Sequence, residues 1–151
     1  MTKLLLPLHV LAAVLAVGPV TVAASMFPQA LRRAHSAPDD REALAALRTL
    51  HRICRVYAGI GIAVPLFGFA TAGSLDVLGN GWVITSIVLT AAAAAVLGLL
   101  ILPAQDSALT TARSLGPGPA ARLATLTGVF NLLWATVTVL MIVRPGSTTG
   151  A

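Results

Sequence analysis

The sequence predicts an all-α polytopic membrane protein, an up-and-down bundle of four transmembrane helices. Three observations carry this expectation. First, hydrophobic residues make up 57% of the 151 and charged residues only 10%, against about 25% charged in a soluble domain. Second, residues 4–31, 56–75, 77–105 and 123–143 contain no Asp, Glu, Lys or Arg. One helical crossing takes about 20 apolar residues, so each window suits one span and none suits two. Third, the arginines are unevenly shared between the segments that separate these windows. The expected spans are 4–27, 54–73, 82–103 and 122–143, in a single domain. A soluble helical bundle is the alternative, and the charge pattern speaks against it.

The arginines set the orientation. The segment between the first two windows carries Arg32, Arg33, Arg41, Arg48, Arg52 and Arg55, and the segment between the last two carries Arg113 and Arg122. The other side has Lys3 and Arg144. Cytoplasmic loops of membrane proteins are enriched in Lys and Arg. Both large loops are therefore expected in the cytoplasm, with both termini outside and the chain in the plasma membrane. The same rule accounts for the net charge of +5, so nucleic acid is not an expected partner.

The first span holds Pro7 near its start and Gly18-Pro19 further in. Pro19 removes a helix hydrogen bond and frees the carbonyl of Leu15; Pro65 does the same to Gly61 in the second span. Each is read as a packing kink, with a hinge or a ligand-facing carbonyl as the alternative. The stretch "VTVAAS" at 20–25 resembles a signal-peptidase site. The charge-free run before and through it is longer than the ~7–15 residues of a signal core. It is therefore read as a retained helix, with Ala23, Ala24 and Ser25 small because a neighbour packs closely there.

A cytoplasmic amphipathic extension, 39–54, is expected ahead of the second span. Asp39 followed by Glu42 suggests a helix cap after Pro38. Ala43, Ala46, Leu47, Leu50, Ile53 and Cys54 share one face, and Arg41, Arg48, Arg52 and Arg55 share the opposite one. That arginine stripe is either a solvated, topology-setting face or a contact for anionic lipid or an acidic membrane-protein partner. Each basic residue near an anionic surface can add about 1 kcal/mol. His35 and His51 are expected to be solvated.

Gly79-Asn80-Gly81 reads as a tight turn, with Trp82 an interfacial anchor, and the two spans it joins are expected side by side. The alanine run 91–95 suggests close helix packing in the third span. Gly116-Pro117-Gly118-Pro119 should stop any short helix at 106–115, and Pro119 can open the last span. The small, polar tail 145–151 is expected to be disordered.

Chemistry-bearing residues are few. No window contains a carboxylate, as a small proton-driven drug exporter would need. There is no phosphate loop, no zinc-binding His pair and no serine or cysteine nucleophile with a base. The single cysteine, Cys54, excludes an intrachain disulfide and a multi-cysteine metal site. His9 is the exception, lying six residues past Lys3, or ~9 Å below the outer helix end. Thr85, Ser86 and Thr138 lie at comparable depth, with Thr71 a looser match, and together they define a candidate polar layer. His9 is either a neutral, hydrogen-bonded helix stitch or a ligand to haem or copper, or a partner for a quinone oxygen. A bis-histidine haem would need a second copy of the chain. Asn131 and Trp134 are expected to face the bundle.

The segments "LHVLAAVLAVGPVTVAASMFPQALRR" and "LHRICRVYAGIGIAVPLFGFATAG" resemble a family of small actinobacterial integral membrane proteins of unknown function. That family is distantly similar to the CopD-like copper-resistance group, whose first helix also begins with a Leu-His pair, here Leu8-His9. Ala16 stands where those relatives place a tryptophan, and Gly18-Pro19 replaces their glycine pair. The resemblance implies a four-helix up-and-down bundle and supplies no activity. The expected function is that of a small interaction or accessory protein, as monomer or homo-oligomer, without catalysis of its own. A redox protein binding haem, copper or quinone through His9 is the alternative.

Overall fold

The computed structural model describes residues 2–110 and 118–146, and every regular element in them is helical. The elements are α1 (Thr2–Ser36), α2 (Arg41–Ile60), α3 (Ala63–Ser74), α4 (Gly81–Ala95), a π-helical turn (Val96–Ile101), α5 (Leu102–Thr110) and α6 (Gly118–Val143). They group into four helical segments, each long and apolar enough to cross a membrane. The protein is thus an all-α four-helix bundle, and each expected span lies within one segment. Arg113, Gly116 and Pro117 lie outside the described residues, as do 147–151 of the tail.

The α1 helix packs along both α2 and α3, α6 packs against α4 and α1, and α2 meets α5. At 1.5 Å per residue the 35 residues of α1 extend about 52 Å, well past a hydrocarbon core of ~30 Å. It stays helical through Pro7, Pro19 and Pro28. The stretch around Ala24 justifies its small residues. Ala23 and Ala24 are buried against Cys54, with Leu50 and Ile53 beside them. On α6, Thr127 donates to the Ala24 carbonyl at 3.5 Å and Asn131 donates to Ser25 Oγ at 3.1 Å.

Breaks in the other segments have stereochemical causes. Between α2 and α3, residues 61–62 form a turn ahead of Pro65. Pro65 has no N–H for the Gly61 carbonyl, and the Val64 N–H takes that acceptor instead at 3.1 Å. The freed carbonyl is therefore satisfied within its own chain. The π turn precedes Pro103, whose ring would crowd the Leu99 carbonyl in a regular helix. Widening the helix by one residue relieves that contact and turns the following side chains by about 100°.

Several expectations are corrected. The cap of α2 is Asp40, which accepts from Glu42 N–H at 2.9 Å and Ala43 N–H at 3.2 Å. Asp39 is displaced from that role because residues 37–40 close a turn, with Asp40 N–H donating to the Ala37 carbonyl at 3.0 Å. In the alanine run only Ala93 is fully buried, and Ala91, Ala94 and Ala95 are exposed. Residues 106–110 continue the third segment as α5 and do not form a separate helix. The helices α3 and α4 barely touch despite their short turn, in which Asp76 takes a left-handed φ of 54°. A turn fixes only the ends it joins; α1 holds α3, and α6 holds α4.

The main core sits toward the arginine-rich end. It joins Phe27 and Leu31 of α1, Leu47 of α2, Ile101 of the π turn and Leu123 and Phe130 of α6. Toward the other end the helices present large apolar side chains outward, among them Val14, Ile62, Leu66, Ile84, Val88 and Ile142. Such a surface is what a lipid-facing helix carries and what a water-facing one avoids.

Candidate functional site

His9 lies on α1 against α3. Its Nδ1 is 2.9 Å from the Val64 carbonyl oxygen. A carbonyl only accepts, so Nδ1 carries the proton. The ring lies over Gly68, where an added Cβ would come 3.0 Å from His9 Cε1. Gly68 is therefore small because the imidazole occupies its side-chain space. With Nδ1 engaged, Nε2 is the nitrogen left for another partner.

The expected polar layer does not assemble around this histidine. Thr85 Oγ1 donates to the Gly81 carbonyl, Ser86 Oγ to the Trp82 carbonyl and Thr138 Oγ1 to the Trp134 carbonyl. Thr71 Oγ1 donates to Phe67 in the same way. Each hydroxyl proton is spent on its own helix, one turn back. Ser86 and Thr71 are buried, whereas Thr85 and Thr138 are exposed. Trp82 lies under the Arg144 guanidinium, 5.9 Å from ring centroid to Cζ, a cation–π contact at the end of the bundle.

Arg41, Arg48, Arg52 and Arg55 are all exposed along α2. The opposite face of the same helix is sealed by Ala43, Leu47, His51 and Cys54. Ala46, expected on that sealed face, is exposed. Among the described residues the ion pairs are Arg33 with Asp40 at 3.8 Å and His51 with Asp106 at 3.6 Å. No stripe arginine takes part in either.

His51 was expected in solvent and is instead 8% exposed. It meets the fully buried Gln105 of α5, Nδ1 to Oε1, at 3.1 Å. Gln105 Nε2 lies 3.6 Å from Cys54 Sγ. In this arrangement Nδ1 donates, and an unprotonated Nε2 would confront the Asp106 carboxylate with two acceptors face to face. Turning the Gln105 amide over exchanges its donor and acceptor. Cys54 then donates to Gln105, Gln105 donates to His51 Nδ1, and Nε2–H points toward Asp106. That order satisfies Cys54, Gln105 and His51 Nδ1 without a buried charge and turns Nε2–H toward the Asp106 carboxylate 3.6 Å away, beyond hydrogen-bond distance. The chain runs from a buried thiol to an exposed carboxylate and ties α2 to α5.

Sequence reasoning passed over this cluster. The signal was present: His51 is four residues after Leu47 and three before Cys54, which places it on the apolar face of the wheel. His35 is likewise half-buried, with Nδ1 3.3 Å from the Leu31 carbonyl. Asn131 donates to Ser25 Oγ of α1 at 3.1 Å; Trp134 packs half-buried beside the main core and edge-on to Phe130 of its own helix, centroids 6.3 Å apart, and its indole N–H has no hydrogen-bond partner among the described residues. Among the described residues no three His, Cys, Asp or Glu side chains gather as a metal-binding group.

Compared with known proteins, the chain matches no family model, no curated protein and no solved structure.

Proposed function

We propose that the chain is a multi-pass protein of the cytoplasmic membrane, with four crossings and both termini outside. Its role is that of a small interaction or accessory protein, working through the arginine face of α2. One observation carries this reading. Four arginines stand exposed on a helix whose other face is sealed in the bundle, and among the described residues none pairs with a carboxylate. The chain has only five acidic side chains against ten Lys and Arg, so this face has charge left over for an anionic partner. Anionic head groups of the inner leaflet supply that charge where the positive-inside rule puts α2.

The test is chemical labelling of topology. In a Cys54→Ser background, Asp76→Cys is expected to react with a membrane-impermeant thiol reagent in intact cells, and Arg113→Cys is not. The reverse pattern would place the arginine face outside and overturn the reading.

A second reading has its own observation. The Val64 carbonyl holds His9 Nδ1 and leaves Nε2 free to act. Ligating histidines are commonly oriented by such a bond from the other ring nitrogen. Haem or copper at Nε2, or a quinone oxygen hydrogen-bonded to a protonated Nε2, are the fitting partners. A second axial ligand for haem would come from another copy of the chain. The Leu8-His9 resemblance to CopD-like proteins supports this reading, and a visible absorption spectrum of the purified protein tests it.

A further inference from the structure

The arginine face is not uniform. Arg52 and Arg55 border a shallow recess whose other walls are His51 and Val56. Three residues apart on one helix, the two side chains are neighbours on its surface. The planar fork of arginine suits phosphate oxygens in a bidentate geometry. Beneath them Val56 and Ile60 are 51% and 48% exposed, so apolar surface continues from the recess toward the middle of the segment. Basic groups above and bare aliphatic groups below match the two parts of a phospholipid.

Neither of the other two stripe arginines lines that recess. Arg48 is ~6 Å and Arg41 ~16 Å further along the helix axis from Arg52. His51 forms a fixed wall because Gln105 of α5 holds its ring. Asp106 stands near His51 at 3.6 Å and is not among the lining residues. The recess therefore keeps two positive charges against one neighbouring negative charge.

We propose that the recess formed by His51, Arg52, Arg55 and Val56 holds the phosphate of one anionic phospholipid from the cytoplasmic leaflet. The proposal rests on the membrane reading above and sharpens it from a charged face to a lipid site. The lipid's phosphate bridges Arg52 and Arg55, and an acyl chain follows Val56 and Ile60.

The experiment uses the full chain in nanodiscs of zwitterionic lipid with a small fraction of phosphatidylglycerol, and native mass spectrometry counts the lipid retained. One phosphatidylglycerol per chain is expected. Arg52→Gln with Arg55→Gln should weaken its retention on the order of tenfold. Arg41→Gln with Arg48→Gln removes the same charge and should weaken it much less. Both pairs are exposed, so neither is expected to disturb folding, which a thermal melt checks. Equal losses in the two variants would mean a diffuse basic face, overturning the lipid site and leaving the arginine-face reading. No preference for phosphatidylglycerol in the unaltered chain would overturn both. Complete displacement of the lipid by inorganic phosphate would assign the recess to the free anion and overturn the lipid identity.

Discussion

His9 Nδ1 donates to the main-chain carbonyl of Val64, 2.9 Å away, across the contact between α1 and α3. The bond is possible because Gly68, one turn beyond Val64, has no side chain where the ring lies. Here a polar residue of a long apolar window is matched to a backbone group of its neighbour, and a glycine makes room for it. The segment it clamps is the short helix that follows the break at 61–62.

Gly68→Ala is therefore expected to displace the ring. The new Cβ would stand 3.0 Å from Cε1 and 3.3 Å from Nδ1, closer than carbon and nitrogen pack. At Gly128, by contrast, nothing lies within 4 Å of an added Cβ. In an open helical position alanine is favoured over glycine. Gly68→Ala should lose about 1 kcal/mol of stability while Gly128→Ala loses none. Thermal unfolding of the purified proteins checks this, and equal midpoints would show that Gly68 does not seat the histidine.

The helical segments were legible because charge is excluded from a bilayer core, and four windows without charge leave little freedom. The close packing at Ala23 and Ala24 was legible from residue size. The polar layer was not, because a serine or threonine in a helix can satisfy itself on the carbonyl one turn back. Position along a helix then says nothing about a partner across the bundle, as Thr85, Ser86 and Thr138 show. The separation of α3 from α4 was hidden for a related reason: a six-residue turn constrains helix ends, while packing against α1 and α6 sets their course. His51 was readable on the helical wheel and obscured by the arginines around it. Gln105 was harder, because the π turn between 96 and 101 shifts the face on which it falls.

Gln105 links His51 and Cys54 from a fully buried position. Gln105→Leu removes the amide and leaves a buried imidazole nitrogen without a partner, at a cost of about 1–3 kcal/mol. Replacing both sides of a buried hydrogen bond by apolar groups can be nearly neutral. His51→Leu with Gln105→Leu should thus recover most of the loss. A double-mutant cycle on thermal stability measures the coupling. Strictly additive losses would mean that the two side chains are neighbours without being partners.

Ala24 is 0% exposed, and Val22, two residues earlier, is 58% exposed. Leucine at position 24 has no space between α1, α2 and α6, and overpacking of this kind costs about 1–3 kcal/mol. Ala24→Leu should lower the unfolding midpoint and make the buried Cys54 reactive toward thiol reagents in detergent. Val22→Leu should change neither. An unreactive Cys54 in Ala24→Leu would show that the helices absorb the added volume without parting.

His9 separates the two functional readings by what replaces it. As a hydrogen-bonding stitch, it should tolerate His9→Gln, because the amide can still donate to the Val64 carbonyl. His9→Leu cannot donate and should cost about 0.6 kcal/mol, the average for a hydrogen bond between membrane helices. As a ligand to haem or copper, neither replacement offers an imidazole nitrogen, so both should abolish binding. The geometry favours the stitch, since the hydrogen bond that His9 makes is satisfied within the bundle. Absorption spectra of the purified wild-type and His9→Gln proteins decide the matter. A Soret band present in the first and absent in the second would overturn the stitch and make the protein a haem carrier.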